Sequence, residues 1–251
     1  MRLISLQSAV GNFVDLLFPK LCRECGDPFK TGLSNILCQS CFDSISRNED
    51  PVCGHCGLSL PAGAFEDSLS LRCRDCGEGD YYLDNVRAYG PYSGALRTTH
   101  HGFKFEGMES LKKPVAGKMK VLMGPFQEMG AQALVPVPQS PERERERGYN
   151  PAELLAVEIS MMTGIPVQRF LRKEKSTRPQ MSLRREERLR NPSGAYVISG
   201  SFRSLIHVVL VDDVFTTGAT LEECAGVLKK SGISRVDAVV FGRTPRHHQS
   251  A

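Results

Sequence analysis

Val208-Val209-Leu210-Val211-Asp212-Asp213-Val214-Phe215-Thr216-Thr217-Gly218-Ala219-Thr220 is the stretch on which the fold of this 251-residue chain turns. Four consecutive apolar residues, Val208 to Val211, read as a strand buried on both faces, the pattern of a parallel sheet. That strand delivers two adjacent carboxylates to its C-terminal end, the edge at which open α/β sheets bind ligands. A short Thr/Gly loop then enters a helix near Thr220. Its backbone N–H groups, its hydroxyls and the helix N-terminus together make a phosphate cradle. Phosphate in the loop with two carboxylates alongside suits a ribose 5-phosphate, Asp212 and Asp213 facing the 2′ and 3′ hydroxyls. The G-x-x-x-x-G-K-[ST] pattern of a P-loop is absent.

Around this stretch the C-terminal part reads as alternating strands and helices. Strands are expected at Asn85–Tyr89, Ala133–Val137, Ala195–Ile198, His207–Val211 and Arg235–Phe241. Helices are expected at Ser110–Met123, Pro151–Thr163 and Thr220–Ser231. Asn150 is placed to cap the second helix with Pro151 at its first position, and Gly232 to stop the third. Cys224, on the helix after the loop, reads as a small core residue. His100 and His101 read as loop histidines, and His247 and His248 as part of a frayed tail.

The N-terminal part is of another kind. Eight of the nine cysteines lie between Cys22 and Cys76, in four C-x-x-C pairs: Cys22/Cys25, Cys38/Cys41, Cys53/Cys56 and Cys73/Cys76. Each pair brings two sulfurs together on one tight turn, and Zn²⁺ takes four such ligands in a tetrahedron. Two structural zinc ions are therefore expected, in preference to a disulfide framework or a redox C-x-x-C. Sequential pairing of the knuckles is expected, with interleaved pairing as the alternative. Gly26, Gly57 and Gly77 each follow a second cysteine, where the turn calls for φ > 0. His55, inside the third knuckle, reads as a surface residue rather than a ligand. The segment is poor in large apolar groups, so metal would supply much of its fold.

Charge divides the chain at nearly the same place. Residues 1–80 carry 7 basic and 11 acidic side chains, and 81–251 carry 25 and 17. Two domains are expected, a cysteine-rich one over 1–80 and an α/β one over 81–251. Each Cys₄–Zn site adds about −2 when its thiols ionise, so the cysteine-rich part becomes more acidic still and suits protein contact better than phosphate. From Arg169 to Arg190 there are nine basic and three acidic residues, a stretch suited to a polyanion. The N-terminal stretch has apolar residues near helical spacing (Leu3, Leu6, Val10, Phe13, Val14, Leu17), interrupted by Asn12 and Asp15. It reads as a helix rather than a signal peptide. No run of apolar residues reaches a membrane span, and a cytoplasmic protein is expected.

The thirteen residues from Val208 to Thr220 resemble the 5-phosphoribosyl-1-diphosphate (PRPP) motif of type I phosphoribosyltransferases. The whole chain resembles the ComF family of competence-associated proteins, which joins a zinc ribbon to such a domain. Further matching segments are Asp15-Leu16-Leu17-Phe18-Pro19, Phe103-Lys104-Phe105, Val135-Pro136-Val137-Pro138, Arg145-Glu146-Arg147-Gly148-Tyr149-Asn150 and Gln180-Met181-Ser182-Leu183, with Arg188 and Asn191. Pro151 departs from the family's usual Gln, and Glu106 from a basic residue.

The resemblance implies a type I phosphoribosyltransferase-like parallel sheet flanked by helices, preceded by a small zinc-ribbon domain. It implies a PRPP site of Asp212, Asp213, Thr216, Thr217, Gly218, Ala219 and Thr220, with Arg147 and Lys104 reaching ligand and Mg²⁺ accompanying PRPP. Residues 172–191 match the flexible loop that closes over PRPP. The implied role is in DNA uptake or handling during competence, with phosphoribosyl transfer to an unnamed acceptor. The alternatives are an ordinary nucleobase phosphoribosyltransferase, and a non-enzymatic adaptor holding single-stranded DNA while its zinc ribbon docks a helicase-like partner.

Overall fold

A computed structural model describes residues 20–29, 33–61, 71–74, 76–77, 79–174, 194–200 and 205–244. The expected N-terminal helix, the basic stretch from residue 175 to 190 and the histidines of the tail lie outside the described residues.

The elements in chain order are α1 (Gln39–Asp43), β1 (Val86–Pro91), α2 (Gly94–Phe105), a 3₁₀ turn (Glu109–Leu111), α3 (Lys112–Lys120) and α4 (Gly124–Glu128). They continue with β2 (Ala133–Pro136), α5 (Pro141–Arg147), α6 (Pro151–Thr163), β3 (Leu171–Lys173), β4 (Tyr196–Ile198), β5 (His207–Phe215), α7 (Ala219–Lys230) and β6 (Arg235–Arg243). They form two compact units, one of residues 1–45 with 93–111 and the other of 46–92 with 112–251. These units follow tertiary contact rather than the step in composition at residue 80.

In the second unit β1, β6, β5 and β2 lie side by side in that order, every pair parallel. Ala133, Val135, Val208, Leu210, Val236, Ala238 and Val240 share one face with Leu221, Cys224, Ala225 and Leu228 of α7. Leu134, Val209, Val211 and Val239, of the alternate parity, are equally buried. Sheet residues alternate in direction, so both faces are covered; α3 and α6 also pack on this sheet. This is why Val208–Val211 shows no polar alternation.

Asn150 and Pro151 act as expected: the Asn150 side chain accepts from the Ala152 N–H at 3.0 Å, and α6 begins at Pro151. Cys224 is fully buried in the core, as expected. The expected strand Ala195–Ile198 does not join the parallel sheet. It forms an antiparallel pair with β3, a strand the sequence reading missed. A fully buried Asp237 holds the opposite edge of the parallel sheet together. It accepts from Asn85 (3.2 Å) and Arg235 (2.8 Å) and lies 2.6 Å from His207 Nε2.

The first unit holds α1 and α2, which pack together. His100 and His101 are helical residues of α2, not loop residues, and His100 is buried. Among the described residues no helix is long and apolar enough to cross a membrane.

Candidate ligand site and metal centres

The strand that carries the two carboxylates runs further than expected, through both of them to Phe215, paired in register with β6 up to Arg243. Asp212 and Asp213 therefore leave the strand in opposite directions. Asp213 is 6% exposed and Asp212 half-buried, and the Asp212 carboxylate accepts from the Asp213 N–H at 2.9 Å. Asp212 stands on the α7 side, where its charge acts on Tyr196 and Cys224. Tyr196 is pushed well up by burial first, then by Cys224, Asp212 and Glu223, while its hydroxyl meets Thr220. The strand that holds Tyr196 was legible in the sequence, but its place beside Asp212 was not.

After Phe215 the chain turns at once. Thr216, Thr217, Ala219 and Thr220 are exposed and Gly218 is buried. α7 starts at Ala219, one residue before the expected start, and Gly218 caps it with φ 83°. A Cβ at Gly218 would collide with the Phe215 ring, so this position demands glycine twice, for its backbone and for its space. The Ala219 N–H points to the Thr217 hydroxyl at 3.3 Å. Among the described residues, no acceptor meets the N–H groups of Thr216, Thr217 and Gly218. An exposed turn of open N–H groups at the start of a helix fits an anion.

Arg147 ends α5, a helix with no buried residue, as its alternating charges suggest. Its guanidinium donates to the Gln139 side chain. Gln139 donates to Asn150 (3.1 Å), which donates to the Val137 carbonyl (3.0 Å). Val137 donates to Val211 at 3.0 Å, immediately before Asp212. The Val137–Asn150 segment thus leaves the same C-terminal sheet edge as the Thr216–Thr220 loop, one strand over. Lys104 belongs to the first unit, half-buried in the last turn of α2, with its ammonium 6.0 Å from the Phe105 ring centre.

The cysteines form two tetrads, Cys22/Cys25/Cys38/Cys41 and Cys53/Cys56/Cys73/Cys76, each with its sulfurs within 4.8 Å of one another. The pairing is sequential. A tetrahedron with Zn–S near 2.3 Å requires sulfurs about 3.8 Å apart. Cys25–Cys38 measures 3.9 Å and Cys56–Cys73 3.8 Å, so both tetrads fit zinc. Gly26, Gly57 and Gly77 take φ of 78°, 67° and 49°, and their N–H groups bond back to the first cysteine of each knuckle at 2.8, 2.8 and 3.0 Å.

In the first unit Cys25 is exposed and Cys41 half-buried. Burial raises the Cys22 thiol, but N–H groups of Cys38, Cys25 and Glu24 outweigh it and bring it down to about 6. Glu106 accepts from Arg23 of the first knuckle at 2.6 Å and lies 3.0 Å from His101 Nδ1. The Arg23 guanidinium, and then His101, hold the Glu106 carboxyl below its usual range. An acidic residue at this position thus ties the knuckle to α2. A polar cavity of about 270 Å³ lies here, lined by Arg23, Glu24, Gly94, Arg97, Thr98 and His101.

All four cysteines of the second tetrad are buried. His55 is not a ligand, but it is not at the surface either: it is 5% exposed and stacked on Tyr81 at 3.4 Å. The sequence reading missed this because Tyr81, Phe215 and Glu222 reach His55 only through the tertiary fold.

A family model described as "Double zinc ribbon domain" matches residues 13–77. Over 209 residues the chain is 29% identical to "Competence protein F" of Haemophilus influenzae, covering 80% of this chain and 88% of that protein. It is 28% identical to "Competence protein ComFC" of Bacillus subtilis, covering 78% and 79%. The chain resembles the ComF-type competence proteins over most of its length. ComF-type similarity extends to "DNA utilization protein YhgH" of Escherichia coli, 26% identical over 91% of this chain and 99% of that protein. Among solved structures, a purine phosphoribosyltransferase from Pyrococcus horikoshii aligns at TM-score 0.34 and 15% identity, over 53% of this chain and 81% of that chain.

Proposed function

We propose that this chain binds PRPP at the C-terminal edge of its parallel sheet and acts in the handling of DNA taken up by the cell. The observation that carries the reading is the exposed turn Thr216–Thr220, with its open N–H groups, set directly after Asp212 and Asp213. The turn would hold the 5-phosphate. Asp212, the more accessible carboxylate, would orient the ribose hydroxyls, with Asp213 supporting it from the other side of the strand. Arg147 would meet the diphosphate, held by Gln139 until ligand arrives. Mg²⁺ bound with PRPP would neutralise diphosphate charge, and the chain's carboxylates are the groups suited to its shell. Phosphoribosyl transfer would then consist of positioning PRPP and stabilising the departing diphosphate. The acceptor is left open.

Calorimetry with PRPP, with and without Mg²⁺, tests this. Replacing both Asp212 and Asp213 with Asn should weaken binding by about 2–4 kcal/mol, from two charged hydrogen-bond sets at about 1.5–3 kcal/mol each less what Asn still accepts. Asp212→Asn alone should account for the larger share. Unchanged affinity in the double variant would remove the proposed site. Single-stranded DNA is the proposed second ligand, through the basic stretch ending at Arg190, and a helicase-like protein the proposed partner of the cysteine-rich part. Relatives named as DNA utilization proteins favour the first, and DNA titration at low salt, in wild type and in a variant neutralised at Arg184, Arg185, Arg188 and Arg190, is the test. Equal binding by the two would exclude that stretch.

A further inference from the structure

We infer that the second cysteine tetrad is the floor of the Thr216–Ala219 loop, with His55 and Arg243 as positioning residues for it. The inference deepens the proposed function, since it rests on reading that loop as the phosphate cradle. The chain of contacts begins at Gly218, whose left-handed backbone lies directly over the Phe215 ring. Phe215 is 1% exposed and cannot shift without disturbing the core.

Two groups fix Phe215 from below. The His55 ring of the third knuckle meets it edge-on at 6.4 Å, and His55 is itself clamped by Tyr81, whose hydroxyl donates to the Cys76 carbonyl at 2.8 Å. Arg243 is the strand partner of Phe215 and is 2% exposed. It donates to the Cys56 carbonyl at 2.9 Å and to the Cys56 sulfur at 3.2 Å. A guanidinium beside a thiolate ligand also offsets part of the tetrad's negative charge.

The exit of the loop is braced as well. Glu222 lies one turn into α7, its N–H bonded to the Gly218 carbonyl at 2.9 Å. Its carboxylate accepts from the Tyr82 N–H at 2.9 Å and lies 3.5 Å from His55 Nδ1. Entry and exit of the loop therefore both end on residues that the Cys53–Cys56 and Cys73–Cys76 turns hold in place. Zinc in this tetrad fixes those turns, and through them the conformation of the loop.

Hydrogen–deuterium exchange of the Glu222 amide, which closes the loop onto the Gly218 carbonyl, in the zinc-loaded full chain tests the inference. His55→Ala should keep two zinc ions, exchange this amide at least ten-fold faster and bind PRPP about ten-fold more weakly. His55→Phe, which keeps a ring against Tyr81 and Phe215, should restore slow exchange. Phe215→Leu touches no cysteine and should loosen the loop with both zinc ions retained; it decides the matter if His55→Ala loses metal. Cys25→Ser should lose one zinc and leave loop exchange within two-fold of wild type. Unchanged exchange in Phe215→Leu, or equal loosening by Cys25→Ser, overturns the inference. Loop exchange that responds as expected in a chain that binds no PRPP would support the bracing and sink the phosphate reading alone.

Discussion

The two tetrads share a spacing, a glycine turn and a fit to the same metal, yet they differ in what surrounds them. In the first, two cysteines are buried, Cys25 is exposed and Cys41 half-buried, and the knuckle is tied to α2 by exposed ion pairs such as Arg23–Glu106. In the second, all four cysteines are buried and belong to the same apolar cluster as the sheet and α7. The chain around it also bonds to the edge strand: Val86 donates to the Gly54 carbonyl at 2.5 Å and Asn48 to the Tyr89 carbonyl at 2.6 Å. A covered edge strand is protected from pairing with other chains. One ligand pattern thus serves as a surface module in one place and as part of a core in another.

The largest expected effect separates them directly. Cys56→Ser should cost several kcal/mol of the stability of the second unit, a part of the roughly 10–16 kcal/mol that a structural zinc supplies. Cys25→Ser should remove one zinc and leave the melting of the sheet within a few degrees of wild type. Metal analysis with circular dichroism melts checks both, and equal destabilisation would break the distinction.

Gly218→Val comes next. It combines a left-handed backbone penalty of roughly 1–2 kcal/mol with overpacking against Phe215 of roughly 1–3 kcal/mol. The expected loss is about 2–5 kcal/mol, with PRPP binding abolished. Wild-type stability in the Gly218→Val variant would mean that the loop does not rest on Phe215.

How far the sequence carries differs between the tetrads in the same way. The knuckles, their sequential pairing and the glycine turns were legible because they are local. So were the buried strand Val208–Val211, the Asn150–Pro151 helix start and the buried Cys224. The boundary at residue 80 follows composition, whereas the contacts put the second tetrad with the sheet, through pairs such as Cys56 with Arg243. His55 reads as a surface residue for the same reason. Strand β3 was missed because Leu171-Arg172-Lys173 looks like part of a charge run. Phe215 reads as loop because two carboxylates precede it, but its pairing with Arg243 extends the strand.

A smaller effect comes from Glu222, which links α7 to the chain beside the second tetrad. Burial pushes its carboxyl up to about 7, against the lowering by the Tyr82 and Leu83 N–H groups. A raised carboxyl is most favourable at low pH, and its contribution is lost as pH rises from the unfolded value of 4.5 through about 7. Relative to Glu222→Gln, wild type should therefore lose about 2 kcal/mol between about pH 5.5 and about pH 8. That corresponds to about 4–8 °C in melting temperature. Parallel pH dependence of the two proteins would show that Glu222 does not ionise in the fold.

The distinction between the tetrads is tested most directly by the rate at which each zinc leaves the native chain. With a chelator in excess and a metal-sensitive dye, release should occur in two phases of one zinc each, at least ten-fold apart. The fast phase should vanish in Cys25→Ser, and the slow phase should keep pace with loss of the sheet's circular dichroism signal. Release of both ions in a single phase, or a slow phase that runs ahead of unfolding, would contradict the placement of the second zinc in the core.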